Sequence, residues 1–172
     1  MNLDKVFVEG INQNRLSFYK TAKALLINDD DIEDAIQDTL ETAYKNLETL
    51  KEPKYFKTWI TRILINKCYD ILRKKSKILP YDSVIMENEK DPSSFDEQVE
   101  MKMILDKLDK DLKDIVILFY FNDYKQEEIA KILDIPKGTV KSRLHRARNE
   151  ILSLVDSKKG VIKWEIFKKI KL

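Results

Sequence analysis

Cysteine is almost absent from the chain. Cys68 stands alone, so no intrachain disulfide is available, which fits a reducing cytoplasm. Glycine and proline are scarce, three and four in 172 residues, which argues against turn-rich all-β architectures. The single histidine, His145, lies in a segment unrelated to Cys68. No Gly-rich phosphate loop and no cluster with metal-ligand spacing is present, so enzymatic chemistry, cofactors and small-molecule substrates find no support. No apolar run approaches the ~18 residues of a spanning helix. The N-terminal stretch "MNLDKVFVEG" has no basic flank followed by a long apolar core and is not read as a secretory signal. Neither a repeat nor a low-complexity tract is evident.

Leu, Ile, Lys, Glu and Asp dominate instead, which favours helices. With 36% charged and 43% hydrophobic residues, the composition suits a globular chain with a highly charged surface. The net charge of +2 hides an uneven distribution. Residues 77–111 carry five basic and ten acidic groups, residues 112–155 eight and six, and residues 156–172 six and two. Such asymmetry points to different partners for different segments.

Residues 3–75 read as helices throughout. In Leu16–Ile27, helical spacing links Leu16, Tyr19, Lys20, Lys23 and Leu26, with Phe18, Ala22 and Leu25 apolar beside them. "NDDD" from Asn28 is a break that supplies an N-cap, followed by acids suited to a helix N-terminus. The next helix is expected over 31–47, with Ile32, Ala35, Ile36, Thr39, Leu40, Ala43 and Leu47 inward. Pro53 forces a boundary, and a long helix follows over 55–75. Its inner side carries Phe56, Trp59, Ile60, Ile63, Leu64, Ile71 and Leu72. Periodicity is lost over 76–96, where Pro80, Pro92 and a Ser pair mark a linker. Further helices are expected at 95–108, 111–121, 126–133 and 137–155. The expected architecture is all-α: a helical domain over 1–76, a flexible acidic linker over 77–96, and a second helical domain over 97–156. A basic, amphipathic tail at 157–172 could pack on its own domain, stay disordered, or bind a membrane or partner.

"KQEEIAKILDIPKGTVKSRLHRARNEI", Lys125 to Ile151, holds two apolar-periodic pieces with a short break. Ile129, Ala130 and Leu133 face inward on the first. Asp134-Ile135-Pro136 is the turn, with proline preset for a helix start. Val140, Leu144, Ala147, Ile151 and Leu154 form the inner face of the second. Lys137, Lys141, Ser142, His145 and Arg146 fall on or beside its outer face, flanked by Arg143 and Arg148. This is a helix-turn-helix pattern, and such a helix fits a DNA major groove about 12 Å wide. Lys and Arg neutralise phosphates, while Ser, Arg and Thr reach base edges.

The first half separates its charges. Asp29 to Glu41 contains seven acids and no base. Asp31, Asp34, Asp38 and Glu41 make one acidic stripe, whose self-repulsion a basic partner would relieve. The helix after Pro53 begins aromatic and ends cationic, through Tyr55, Trp59, Arg62, Asn66, Asp70, Arg73, Lys74 and Lys75. Aromatics beside cations suit unstacked bases and phosphates, although an aromatic at helical spacing is as readily core, and Phe56 is read as core.

Three segments in this order, "DIEDAIQDTLETAYKNL", "FKTWITRILINKCYDILRKK" and "EEIAKILDIPKGTVKSRLHRAR", resemble the extracytoplasmic-function class of bacterial RNA polymerase sigma factors over roughly residues 5–155. The resemblance implies that the first docks on the clamp of core RNA polymerase through Asp31, Glu33, Asp34, Gln37 and Asp38. It implies that the second recognises and melts a minus-ten promoter element through Tyr55, Lys57, Trp59, Arg62, Asn66, Arg73 and Lys74, with a pocket for a flipped base in the loop 49–54. The third would read a minus-thirty-five element through Gly138, Thr139, Lys141, Ser142, Arg143 and Arg146, with Gln126, Lys137 and the variable His145 beside them. It further implies promoter DNA and core polymerase as partners, control by an anti-sigma factor, and a cytoplasmic location, with a hold at the membrane if that factor is membrane-bound. Asp134 stands where the family often has glycine, a place that Asp tolerates. A rival reading keeps the helix-turn-helix in a stand-alone regulator and gives residues 3–75 to sensing or dimerisation.

Overall fold

A computed structural model of the chain describes residues 2–78 and 102–156. They fall in two compact units: residues 2–78, with which 131–133 cluster, and the remainder of 102–156. All regular structure among them is helical. Most of the expected acidic linker, the first part of the helix expected at 95–108, and the tail lie outside the described residues.

The first unit packs three helices. Asn2 opens α1 (Leu3–Leu25), its Oδ1 accepting from the Lys5 N–H at 3.1 Å. Asn28 does the same for α2 (Asp29–Lys45), accepting from Asp30 at 2.8 Å. Three acids in the first turn of α2 complement the helix dipole. Two short 3-10 turns, Leu47–Thr49 and Pro53–Tyr55, lead into α3 (Phe56–Ile78). Residues 77 and 78, expected in the linker, therefore continue α3. The shared core holds Phe18, Ala22 and Leu25 of α1, Ile32, Ala35 and Ala43 of α2, and Phe56, Ile60, Leu64 and Cys68 of α3. Burial of this apolar surface is what holds three otherwise marginal helices in place.

Of the apolar residues over Leu16–Ile27, the structure buries Phe18, Ala22 and Leu25 of α1 and Leu26 just after it, but leaves Leu16 66% and Tyr19 41% exposed. Two neighbouring stripes on that helix have helical spacing, and packing against α2 and α3 selects the one centred on Ala22. Gly10 of α1 lies against the Phe56 ring: a Cβ there would stand 2.4 Å from two ring carbons.

The second unit begins with a helical segment at 102–105 (α4), which turns at 106–108, short of the expected end. Then comes α5 (Lys110–Val116), continued by a π-helical turn over Ile117–Phe121. That turn closes on itself: the Asn122 side chain donates to the Ile117 carbonyl at 3.2 Å, and the Tyr124 N–H to that of Leu118 at 3.1 Å. Asp123 takes a positive φ of 54° in between. The remaining helices are α6 (Gln126–Leu133) and α7 (Lys137–Asp156). Buried in this unit are Ile129 of α6, Val140, Leu144, Ala147 and Ile151 of α7, and Leu112, Ile115 and Val116 of α5. Ile132, rather than the expected Leu133, is the buried residue at the end of α6.

Candidate nucleic-acid interface

The turn between α6 and α7 is built from local chemistry. The Glu128 carboxylate accepts from the Lys125 N–H at 2.8 Å and starts α6. Asp134 ends it in the left-handed conformation, φ 56° and ψ 48°, with the Ile135 N–H returned to the Ala130 carbonyl at 3.0 Å. Asp is one of the few side chains that adopt this geometry readily. The Pro136 carbonyl then accepts from Thr139 at 2.9 Å and launches α7.

With Val140, Leu144, Ala147 and Ile151 buried, α7 turns Gly138, Lys141, Ser142, His145 and Arg146 to solvent together. Nothing lies within 4 Å of where a Gly138 side chain would begin, so the backbone there is open to close approach. The Ser142 hydroxyl donates to the Thr139 carbonyl at 3.0 Å, which leaves its lone pairs outward. His145 Nε2 and Asn149 Nδ2 lie 3.3 Å apart. Thr139 and Gln126 are half-buried at the helix starts.

Two of the candidate cations have intramolecular acids. Lys137 pairs with Glu127 of α6, and this contact is the main reason the Glu127 carboxyl is held below its usual range. Arg143, only 25% exposed, meets Asp111 of α5 at 2.5 Å. Arg148 turns further from the open face, donating to the Tyr120 hydroxyl at 3.2 Å.

In the first unit, Glu33, Asp34, Gln37 and Asp38 are exposed on α2. Asp31 differs: it is 17% exposed and pairs with Lys75 of α3 at 2.6 Å. The loop before α3 is ordered by Leu50, which is buried, and by a 2.6 Å pair between Glu52 and Lys54. That pair raises the Lys54 ammonium above its usual range. Along α3, Arg62, Asn66, Arg73 and Lys74 are exposed, whereas Tyr55, Lys57 and Trp59 are half-buried. Phe56 is core, as expected, and Trp59 leans on it with ring centroids 6.0 Å apart. A surface groove brings Arg73 and Lys74 together with Lys67, Asp70, Ile71 and Lys77 of α3 and Asp38 of α2.

Residues 11–78 match the family model for sigma-70 region 2, and residues 98–151 that for sigma-70 region 4. The RNA polymerase sigma factor SigV of Bacillus subtilis is 34% identical over 143 residues, covering 83% of this chain and 86% of its own length. The ECF RNA polymerase sigma-E factor of Haemophilus influenzae is 28% identical over 144 residues, 73% and 75% of the two chains. The chain belongs to the extracytoplasmic-function group of sigma-70 factors. Among solved structures, the sigma factor RpoE of Bartonella quintana, crystallised with the anti-sigma factor NepR, superposes with a TM-score of 0.71. It shares 28% identity and covers 89% of this chain and 98% of that one.

Two residues of this sigma factor escaped the sequence reading. Lys67 and Lys77 line the groove with Arg73 and Lys74. Lys67 flanks the outward stripe of α3, so helical spacing alone did not select it. Lys77 was placed in the linker. Among the described residues, no helix is long and apolar enough to cross a membrane.

Proposed function

We propose that the chain is a transcription initiation factor: it binds core RNA polymerase through α2 and carries it to promoters read by α3 and α7. The observation that carries this reading is the pairing, on one chain, of an exposed acidic face and a cationic, aromatic-edged helix with a separate helix-turn-helix whose outer face is basic.

The roles divide by chemistry. Glu33, Asp34, Gln37 and Asp38 offer a carboxylate and amide surface to a basic partner helix. Arg62, Asn66, Arg73 and Lys74, with Tyr55, Lys57 and Trp59, suit the phosphates and unstacked bases of a melted minus-ten element. Gly138, Lys141, Ser142, His145 and Arg146 present a groove-reading face to a minus-thirty-five duplex. A small helix-turn-helix makes few base contacts, and a shared polymerase scaffold raises the effective concentration of each module for its own half of the promoter. Control falls to an anti-sigma factor, a class of partner with which the Bartonella sigma factor was crystallised, and the protein works in the cytoplasm.

The test is reconstitution with purified core polymerase. Charge reversal of Glu33, Asp34 and Asp38 together, sparing the paired Asp31, is expected to abolish polymerase binding and promoter-specific transcripts while the fold survives. A reversed triple variant that binds and transcribes like the native chain would remove α2 from the docking role.

A further inference from the structure

The acids of α2 and the cations of α3, which the reading above assigns to two different partners, meet each other in the free protein. Asp31 reaches across to Lys75 at 2.6 Å, and the pair is partly shielded, with side chains 17% and 41% exposed. One groove further along holds four cations, Lys67, Arg73, Lys74 and Lys77, and two acids. Asp70 is paired with Arg73 inside α3. Asp38 is the acid that α2 contributes. The Glu41 carboxyl next along α2 lies below its usual range, chiefly through Lys45, with Lys67 adding a smaller pull.

We propose that this groove is a phosphate-backbone site to which Lys67 and Lys77 contribute, and that Asp38 within it, with Asp31 on the neighbouring Lys75, holds the cations of α3 partly neutralised until polymerase engages α2. The proposal rests on the reading in which α2 docks on polymerase and α3 meets DNA.

The physics is competition for the same cations. A DNA phosphate gains by displacing counterions from lysines, and a carboxylate already beside those lysines plays the counterion's part. Phosphate entering the groove also meets Asp38 at short range, where like charges repel. A basic surface laid on α2 would cancel that carboxylate field and draw Asp31 away from Lys75. Each ligand then raises the affinity of the other by the same factor, because coupling between two sites is reciprocal. The free chain is held from wandering over DNA, and the assembled complex is not.

The experiment measures anisotropy of a fluorescein-labelled duplex of random sequence, titrated with the whole chain at low salt. All chains carry Lys141→Ala and Arg146→Ala, which quiets the helix-turn-helix. Asp38→Asn is expected to tighten binding about threefold, as removal of one charge several ångströms away at near-water dielectric does, and to steepen the salt dependence by up to one charge. Asp31→Asn should shift affinity the same way. Lys67→Ala and Lys77→Ala should each weaken binding by a similar factor. Asp38 is exposed, so its variant carries the test if Asp31→Asn unfolds in a parallel thermal melt. Equal affinity of the native and Asp38→Asn chains overturns the brake, and unaltered binding by Lys67→Ala and Lys77→Ala overturns the site. Capture of purified core polymerase by the native chain, run alongside, separates the two levels. Capture with unmoved DNA affinities sinks this inference alone, whereas no capture sinks the docking reading beneath it.

Discussion

The Arg143 guanidinium on α7 is held 2.5 Å from the Asp111 carboxylate on α5. A cation on α7 is thereby tied to the helix beneath it. Arg143 is three-quarters buried and Asp111 mostly exposed, so the pair is a partly screened one. Arg143→Ala and Asp111→Asn should each cost roughly 0.5–1 kcal/mol, with a coupling of about 0.2–1 kcal/mol in a double-mutant cycle. Arg146→Ala, by contrast, should leave stability alone and relax minus-thirty-five specificity by about 1–3 kcal/mol at one base position. Urea unfolding and competition binding on a panel of duplexes separate the two. If Arg143→Ala altered base preference as strongly as Arg146→Ala, Arg143 would belong to the reading face.

Gly138 should behave oppositely in the free and bound chain. Its helical backbone has open space where a methyl would go, so Gly138→Ala should stabilise the second unit by about 0.5–1 kcal/mol. The same methyl should weaken binding of a minus-thirty-five duplex, because it stands where backbone and DNA would approach. Thermal melts paired with anisotropy check both signs. Undiminished duplex binding by the more stable variant would place this end of α7 away from DNA.

Gly10 is the inverse case. A methyl at Gly10 would stand 2.4 Å from the ring of Phe56, which is 3% exposed and has no room to retreat. Overpacking of this kind costs about 1–3 kcal/mol and outweighs the roughly 1 kcal/mol that alanine gains in helix propensity. Gly10→Ala should therefore lower the denaturation midpoint of the first unit. Phe56→Leu in the same chain should recover part of the loss, and strict additivity of the two changes would show that they do not collide.

Trp59 carries packing and exposure at once. Trp59→Phe should keep the contact with Phe56 and a near-native melting temperature. Trp59→Ala should lose about 1–2 kcal/mol of stability, as for a half-buried apolar side chain. It should also lose about 1–3 kcal/mol of affinity for a single-stranded minus-ten oligonucleotide in complex with polymerase, the amount expected for one stacked base. A destabilised Ala variant with native strand binding would assign Trp59 to the core alone.

Much of the site was legible because it depends on local rules. The bounds of α6 and the start of α7 follow from apolar spacing and Pro136. Asp134 does adopt the left-handed angle that its place in the turn required. The burial of Phe56 and of the α7 inner face also followed from spacing. The face of α1 was not legible, since the Leu16–Tyr19 and Phe18–Ala22 stripes are both helically spaced. Neither was the π turn at Ile117–Phe121, whose extra residue is invisible to a periodicity of 3.6. The end of α3 was misjudged because lysines at a helix C-terminus resemble a charged linker.

The sequence by itself determined that the chain is helical, where its helix-turn-helix lies, and that its acids and bases are segregated along the chain. Those properties arise from neighbours a few positions apart, through capping, spacing and turn chemistry. Only the tertiary structure decided that Asp31 belongs with Lys75, that Arg143 belongs with Asp111, and that Lys67 shares a groove with Asp38. Such partnerships join residues far apart in the chain. They depend on the angle and depth at which packed helices meet, and the burial of apolar surface sets that geometry before any charge finds its partner.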